Sequence, residues 1–125
     1  MILASEERIK EYTEKGVWIE KTLLDDFREH ARKSPDRIAM VDPPNKAALL
    51  GREAERVSYA DLDAAVEGTA AALAAAGIKK DDIIIVQLPN CWELAMLYLA
   101  TARAGAVISP TPLQWRAKRS EEHTA

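Results

Sequence analysis

Between Ile83 and Pro112 the chain reads IIIVQLPNCWELAMLYLATARAGAVISPTP, an apolar run, an apolar helix and a second apolar run. Ile83 to Val86 is β-branched and apolar on consecutive positions, as a strand covered on both faces must be, so a central strand is expected there. Asn90 and Glu93 stand at the spacing of a capping pair, and from Cys91 to Ala104 only Glu93, Thr101 and Arg103 are clearly polar. A helix of that composition is expected to be buried nearly all round. Ala106 to Ser109 reads as the next strand, and the helix between is long enough for a parallel, right-handed crossover. The fold class that follows is α/β, with helices packed on a mainly parallel sheet. Such sheets carry chemistry at loops beyond their strand ends, and few of those loops fit into 125 residues. The sheet is therefore expected to be incomplete and poor in active-site residues.

The upstream elements support the same class. Residues 5 to 15 have acids in front, lysine at the end and Gly16 behind, which predicts a short helix lying loosely on the surface. Thr22 and Asp25 form a capping pair for a second helix with Leu23, Leu24, Phe27 and Ala31 on its apolar face, ended by Ser34-Pro35. Ile38 to Val41 reads as a strand closed by Asp42-Pro43-Pro44-Asn45, and residues 45 to 54 carry no period, as in an irregular connection or the turn of a hairpin. After a brief extended segment from Arg56, Ser58 caps a helix and Asp61 returns the bond. Leu62, Ala65, Val66, Thr69, Leu73 and Ala76 recur along it at helical spacing until Gly77 closes it.

Composition removes several function classes. A net charge of -3 with acids and bases interleaved, as in REAER and KKDD, gives no electrostatic reason to bind nucleic acid. The single Cys91 allows no internal disulfide framework and fits a reducing compartment, and His30 and His123 lack zinc spacing. The N-terminus is charged within its first residues, and the helix from Cys91 to Ala104, about 21 Å long, is too short to span a bilayer. A cytoplasmic protein without a transmembrane segment is expected. Gly16, Gly51, Gly68, Gly77 and Gly105 stand far apart, so no phosphate loop or dinucleotide fingerprint forms, and HExxH, CxxC and GxSxG are absent.

Individual residues have bland explanations beside their functional ones. Cys91 at a helix N-terminus has the position of an activated nucleophile, but a small buried thiol is the ordinary reading. His30 lacks a partner constellation for a general base and reads as solvated or capping. Asp25-Asp26 and Asp81-Asp82 fall at a helix start and a turn, where carboxylates serve structure. Trp18, Trp92 and Trp115 read as core or docking residues, since no basic groove accompanies them.

These segments together resemble the N-terminal part of the acyl-adenylate-forming, or AMP-binding, superfamily, which includes acyl-CoA synthetases, aryl-acid ligases, luciferases and peptide-synthetase adenylation domains. Val57 to Asp63, VSYADLD, is similar to the family's first core motif, and Leu99 to Pro112, LATARAGAVISPTP, to its second. Val86 to Leu94, VQLPNCWEL, is similar to the strand, Leu-Pro-Asn turn and helix between them. Tyr12, Gly16, Trp18 and Thr22 to Phe27 resemble aromatic-acid and alicyclic-acid CoA ligases in particular. The resemblance covers residues 8 to 116 and implies the N-terminal portion of the large domain of an acyl-CoA synthetase-like fold. It also implies a parent enzyme that converts a carboxylic acid and Mg-ATP to an acyl-adenylate and then to a thioester of coenzyme A.

The family's working parts, by the same resemblance, lie downstream. They are a Thr/Ser/Gly-rich loop for the ATP phosphates, an aromatic and acidic segment around adenine and carboxylate, an aspartate on the ribose, and a lysine in a small C-terminal domain. None has a counterpart here, so no catalytic, cofactor-binding or metal-binding residue is assigned to the chain. Residues 1–116 are thus expected to be a partial family domain that acts as scaffold and is inactive alone. Residues 117–125 depart from the family pattern, and RSEEHT at 119–124 resembles the translation of a widely used sequencing-library adapter, which predicts a non-family tail. A fragment of this kind leaves Ile83 to Val86 without sheet neighbours, so self-association is expected. Two other readings stay open at this point. One is a free-standing α/β interaction or scaffold module that docks through Cys91 to Ala104. The other is a flavodoxin-like domain, for which LPNCW is a poor phosphate loop.

Overall fold

The computed structural model describes residues 4–115; the 117–125 tail and His123 lie outside them. Helix α1 (Glu6–Glu14) starts at Ser5, whose Oγ accepts the Arg8 N–H at 3.3 Å, and buries no residue. Behind it the Trp18 ring meets Tyr12 edge-on, with centroids 5.1 Å apart. Helix α2 (Leu23–Lys33) carries the full reciprocal box: the Asp25 N–H donates to Thr22 Oγ1 at 3.3 Å and the Thr22 N–H to Asp25 Oδ2 at 2.8 Å. Phe27 and Ala31 face the core as expected. Leu23 does not; it is 75% exposed, because the first turn of α2 overhangs an open cleft instead of a neighbouring element.

Strand β1 (Ile38–Val41) pairs antiparallel with β2 (Arg56–Ser58), setting Met40 opposite Val57 and Val41 opposite Arg56. The hairpin alternative for residues 45 to 54 holds, with one addition: the connection contains a short helix, α3 (Lys46–Leu50). Five residues are too few to display a helical period in sequence. Ser58 ends β2 and caps α4 (Tyr59–Ala75), accepting the Asp61 N–H at 3.1 Å, while its hydroxyl donates to Asp61 Oδ2 at 2.7 Å. The return bond therefore reaches the hydroxyl and not the backbone. Gly77, at φ +90°, turns the chain out of α4, with its N–H on the Ala74 carbonyl and that of Ile78 on Leu73.

Strands β3 (Ile83–Val86) and β4 (Val107–Pro110) are parallel, joined by α5 (Trp92–Ala104), which confirms the strand, helix, strand unit. Three details differ from the sequence reading. Asn90 is exposed and does not cap α5; Cys91 holds that position without a side-chain bond, and Asp42 Oδ1 takes the Trp92 N–H at 2.9 Å. Helix α5 is not buried all round, because α4 covers one side while Tyr98, Ala102 and Arg103 face outward. Strand β3 is not central among the described residues: it pairs with β4 alone, and Ile83 and Ile85 are 61% and 57% exposed.

The core lies where α4 crosses α5 and α2. Phe27, Val57, Leu62, Val66, Ala70, Leu99 and Ala100 form it, with Met40, Trp92 and Met96 packed against its edge. On the rim, Glu67 of α4 pairs with both Arg28 of α2 and Arg103 of α5, tying the three helices together.

Candidate functional site

The strongest concentration of polar chemistry sits where the β1–β2 hairpin meets the start of α5. Asp42 leaves β1 fully buried, and its backbone N–H donates to the Glu55 carbonyl at 2.9 Å. Its Oδ2 accepts the Glu55 N–H at 3.0 Å and its Oδ1 the Trp92 N–H, so one carboxylate bridges hairpin and helix. An anion at a helix N-terminus meets the free amide groups there and the positive end of the helix dipole.

Lys46, at the start of α3, points into this spot with its side chain fully buried. Its Nζ donates to Asp42 Oδ2 and Glu93 Oε1, both at 2.7 Å, and to Glu55 Oε2 at 3.4 Å, and it lies 5.8 Å from the centre of the Trp92 ring. The Trp92 indole N–H donates to Glu55 Oε2 at 2.9 Å, and Arg52 stands 3.8 Å from Glu93 at the solvent edge.

Burial works against charge on Lys46, Asp42 and Glu93, but the contacts prevail. Burial lowers the Lys46 pKa, yet hydrogen bonds to Asp42 and Glu93 and their charges hold it above the ordinary lysine value. Burial raises the Asp42 carboxyl, yet Lys46 and the Trp92 and Glu55 amides hold it below the usual carboxylate range; Glu93 is likewise lowered, chiefly by Lys46 against its burial. Lys46 is therefore a locked ammonium, useless as a nucleophile or base near neutrality. Cys91, beside the hub and 5% exposed, has its thiol pushed up by burial and then by the Glu93 carboxylate, so it stays protonated. The arrangement positions and does not react.

Two open apolar clefts adjoin the hub. One of about 500 Å³ includes Val41, Pro43, Cys91 and Leu94; the other, of about 740 Å³, includes Phe27, His30, Tyr59 and Leu99, and the two share Met40, Ala95 and Tyr98. His30 is exposed, its ring 6.0 Å from that of Tyr59, and no partner orients it as a base. Asp25 caps α2, Asp26 pairs with Lys21 at 2.5 Å, and the Asp82 side chain accepts the Lys79 N–H at 2.7 Å. Asp81 adopts φ +69° with its N–H on the Gly105 carbonyl, and the Trp115 carbonyl accepts from Gln87 at 3.0 Å. Of the residues weighed from sequence, Cys91, Trp92 and Glu93 come together at the hub. Lys46, Asp42 and Glu55 were missed, although Asp42 and Lys46 stand at the four-residue spacing of a helical ion pair. Among the described residues no group of three His, Cys, Asp or Glu side chains could hold a metal ion. No helix there is long and apolar enough to cross a membrane.

A parallel strand, helix, strand unit locked to a hairpin by an ionic hub defines a segment of an α/β domain. Residues 27–123 match the family described as AMP-binding enzyme, and the chain belongs to that family. It is 36% identical over 96 residues to a 2-hydroxy-7-methoxy-5-methyl-1-naphthoate–CoA ligase of Streptomyces carzinostaticus, covering 77% of this chain and 15% of that protein. It is 36% identical over 112 residues to a medium-chain fatty-acid–CoA ligase of Escherichia coli K12, covering 90% of this chain and 18% of that one. Among solved structures, apo MbtA of Mycobacterium smegmatis superposes with a TM-score of 0.72 at 33% identity, over 93% of this chain and 20% of that chain. The chain thus spans less than a fifth of the length of these two curated relatives.

Proposed function

We propose that these residues are the scaffold part of an ATP-dependent carboxylic acid–CoA ligase. The reaction joins the acid to ATP, releasing pyrophosphate and leaving an acyl-adenylate; the thiol of coenzyme A then displaces AMP to give the thioester. The observation that supports this most is 36% identity, over most of the chain, to two proteins named as CoA ligases. The described residues do not themselves fit ATP, magnesium or coenzyme A. The glycines are isolated, no metal-holding cluster is present, and the buried cation Lys46 is already spent on carboxylates. Nothing in the hub therefore takes part in a chemical step, and the chain contributes the platform on which other residues act. A cytoplasmic setting accords with substrates of this kind and with a free, buried Cys91.

Two measurements test the reading. The isolated chain should exchange no labelled pyrophosphate into ATP with any carboxylic acid, and detectable exchange overturns the scaffold role. A chimera of the E. coli medium-chain ligase that carries residues 8–115 in place of its matched stretch should retain exchange with its fatty acid; a folded chimera without exchange sinks the ligase assignment.

A further inference from the structure

We infer that Gln87 is a positioning residue for the acid substrate of the ligase: its side chain locks the segment that leaves β4 onto the loop that leaves β3. This role presupposes the ligase reading proposed above and adds one residue to it. Gln87 directly follows β3, and its Nε2 donates to the Pro112 carbonyl at 2.7 Å and to the Trp115 carbonyl at 3.0 Å. Both acceptors are carbonyl oxygens, which cannot donate, so the nitrogen and not the oxygen of the amide must face them. The Pro112 carbonyl also accepts the Trp115 N–H at 3.1 Å, which closes residues 112–115 into a turn. Gln87 thus holds both ends of that turn.

Holding is needed there. The β3–β4 ladder ends with the Thr111 N–H on the Val86 carbonyl at 2.8 Å, and Pro112, Leu113 and Gln114 beyond it are exposed. Neither strand pairing nor burial fixes the path of those three residues. The loop on the other side is anchored: Pro89 is buried, and Asp42 and Lys46 grip the first turn of α5 at Trp92 and Glu93. The two-pronged bond from Gln87 carries that anchorage across to the turn.

Both segments stand at the carboxyl end of the parallel pair, the end at which α/β sheets bind their ligands. Their residues, QLPNC at 87–91 and TPLQW at 111–115, include no lysine, arginine or glycine. Phosphate calls for cations or converging backbone amides, whereas a hydrocarbon body calls for an apolar wall. Leu88, Leu113 and Trp115 therefore suit the apolar body of a carboxylic acid and not the triphosphate of ATP. By fixing the turn, Gln87 fixes the wall that such a body meets.

Gln87→Met keeps the length and removes both donors, and Gln87→Glu, ionised at neutral pH, sets an acceptor against two carbonyls. In the 125-residue chain each should leave circular dichroism unchanged and speed exchange of the Trp115 amide about tenfold or more, as in a turn released from its clamp. The second arm uses the chimera of the E. coli medium-chain ligase that carries residues 8–115. There each substitution should raise the KM for a medium-chain fatty acid about tenfold or more, while the KM for ATP stays within about twofold, since a displaced wall misplaces the acid alone. A loss of folded enzyme lowers kcat and moves neither KM, which tells it apart from a loss of positioning. An unchanged Trp115 amide overturns the clamp. Unchanged KM values, or a rise for ATP equal to that for the acid, overturn the positioning role while pyrophosphate exchange by the unsubstituted chimera upholds the ligase reading. An unsubstituted chimera that folds without exchange overturns both.

Discussion

Replacing Lys46 by Met keeps most of the aliphatic stem and deletes the only cation that, among the described residues, reaches the buried Asp42 carboxylate. Breaking a buried ion pair by removing one partner costs about 3–5 kcal/mol, because the remaining charge is left uncompensated. Here the lower end applies. Asp42 keeps the Glu55 and Trp92 amides, and Arg52, already 3.8 Å from Glu93, can close on it. A loss of about 3 kcal/mol at pH 7 corresponds to a fall of about 10 °C in Tm for a domain of this size. The pH dependence carries the sharper test. In the native hub Asp42 and Glu93 titrate below their unfolded values, near 4, so their stabilisation is full above that pH and fades as pH drops through the lowered native values. Without Lys46 the remaining amide contacts offset burial less completely, so both carboxyls bind protons more readily in the folded variant and its deficit shrinks from pH 7 to pH 4. Urea unfolding followed by circular dichroism at those two pH values measures both effects. A loss below about 1 kcal/mol at pH 7, the range of a surface pair, would refute the burial argument. A deficit equal at both pH values would refute the electrostatic one.

Two further substitutions probe single groups. Thr101 is 1% exposed and its Oγ1 is buried without a hydrogen-bond partner, so Thr101→Val, which keeps the shape and removes the stranded hydroxyl, should raise stability by about 1 kcal/mol in a thermal melt; a lower Tm would contradict it. Gly105 stands at φ +75°, and a Cβ there would lie 3.6 Å from Lys80 Cγ, an ordinary contact. Gly105→Ala should therefore cost about 1 kcal/mol from backbone strain alone, read by urea unfolding, and an unchanged midpoint would count against that account.

What the sequence disclosed was local. The Thr22–Asp25 and Ser58–Asp61 pairs and the turn at Gly77 each close within a few residues, so spacing alone identifies them. The four-residue apolar runs at Ile38 and Ile83 were legible as strands for the same reason. The hub was not, because Asp42 meets Trp92 across fifty positions and Lys46 lies in a stretch too short to show a period. Neither was the exposure of β3: four consecutive β-branched or apolar residues read alike whether or not neighbours are present to cover them.

The hub explains why Asn90 does not cap α5. An Asn side chain at a helix start contributes about 1 kcal/mol, and Glu93 is placed to complete that motif. Lys46 draws the Glu93 carboxylate away at 2.7 Å, and Asp42, a charged acceptor, takes over the Trp92 amide. A local motif is thus exchanged for one that joins distant parts of the chain. The exchange matters because the β1–β2 and β3–β4 pairs share no strand hydrogen bonds with each other. Helix α4 packs on β1 and β2 and on α5, and α5 packs on β4, but apolar packing is non-directional and sets no unique angle. The contacts from Asp42 and Lys46 to the first turn of α5 are directional, and they fix the hairpin against the parallel unit. For the platform role proposed above, fixed geometry is the contribution that a buried, charged cluster is suited to make.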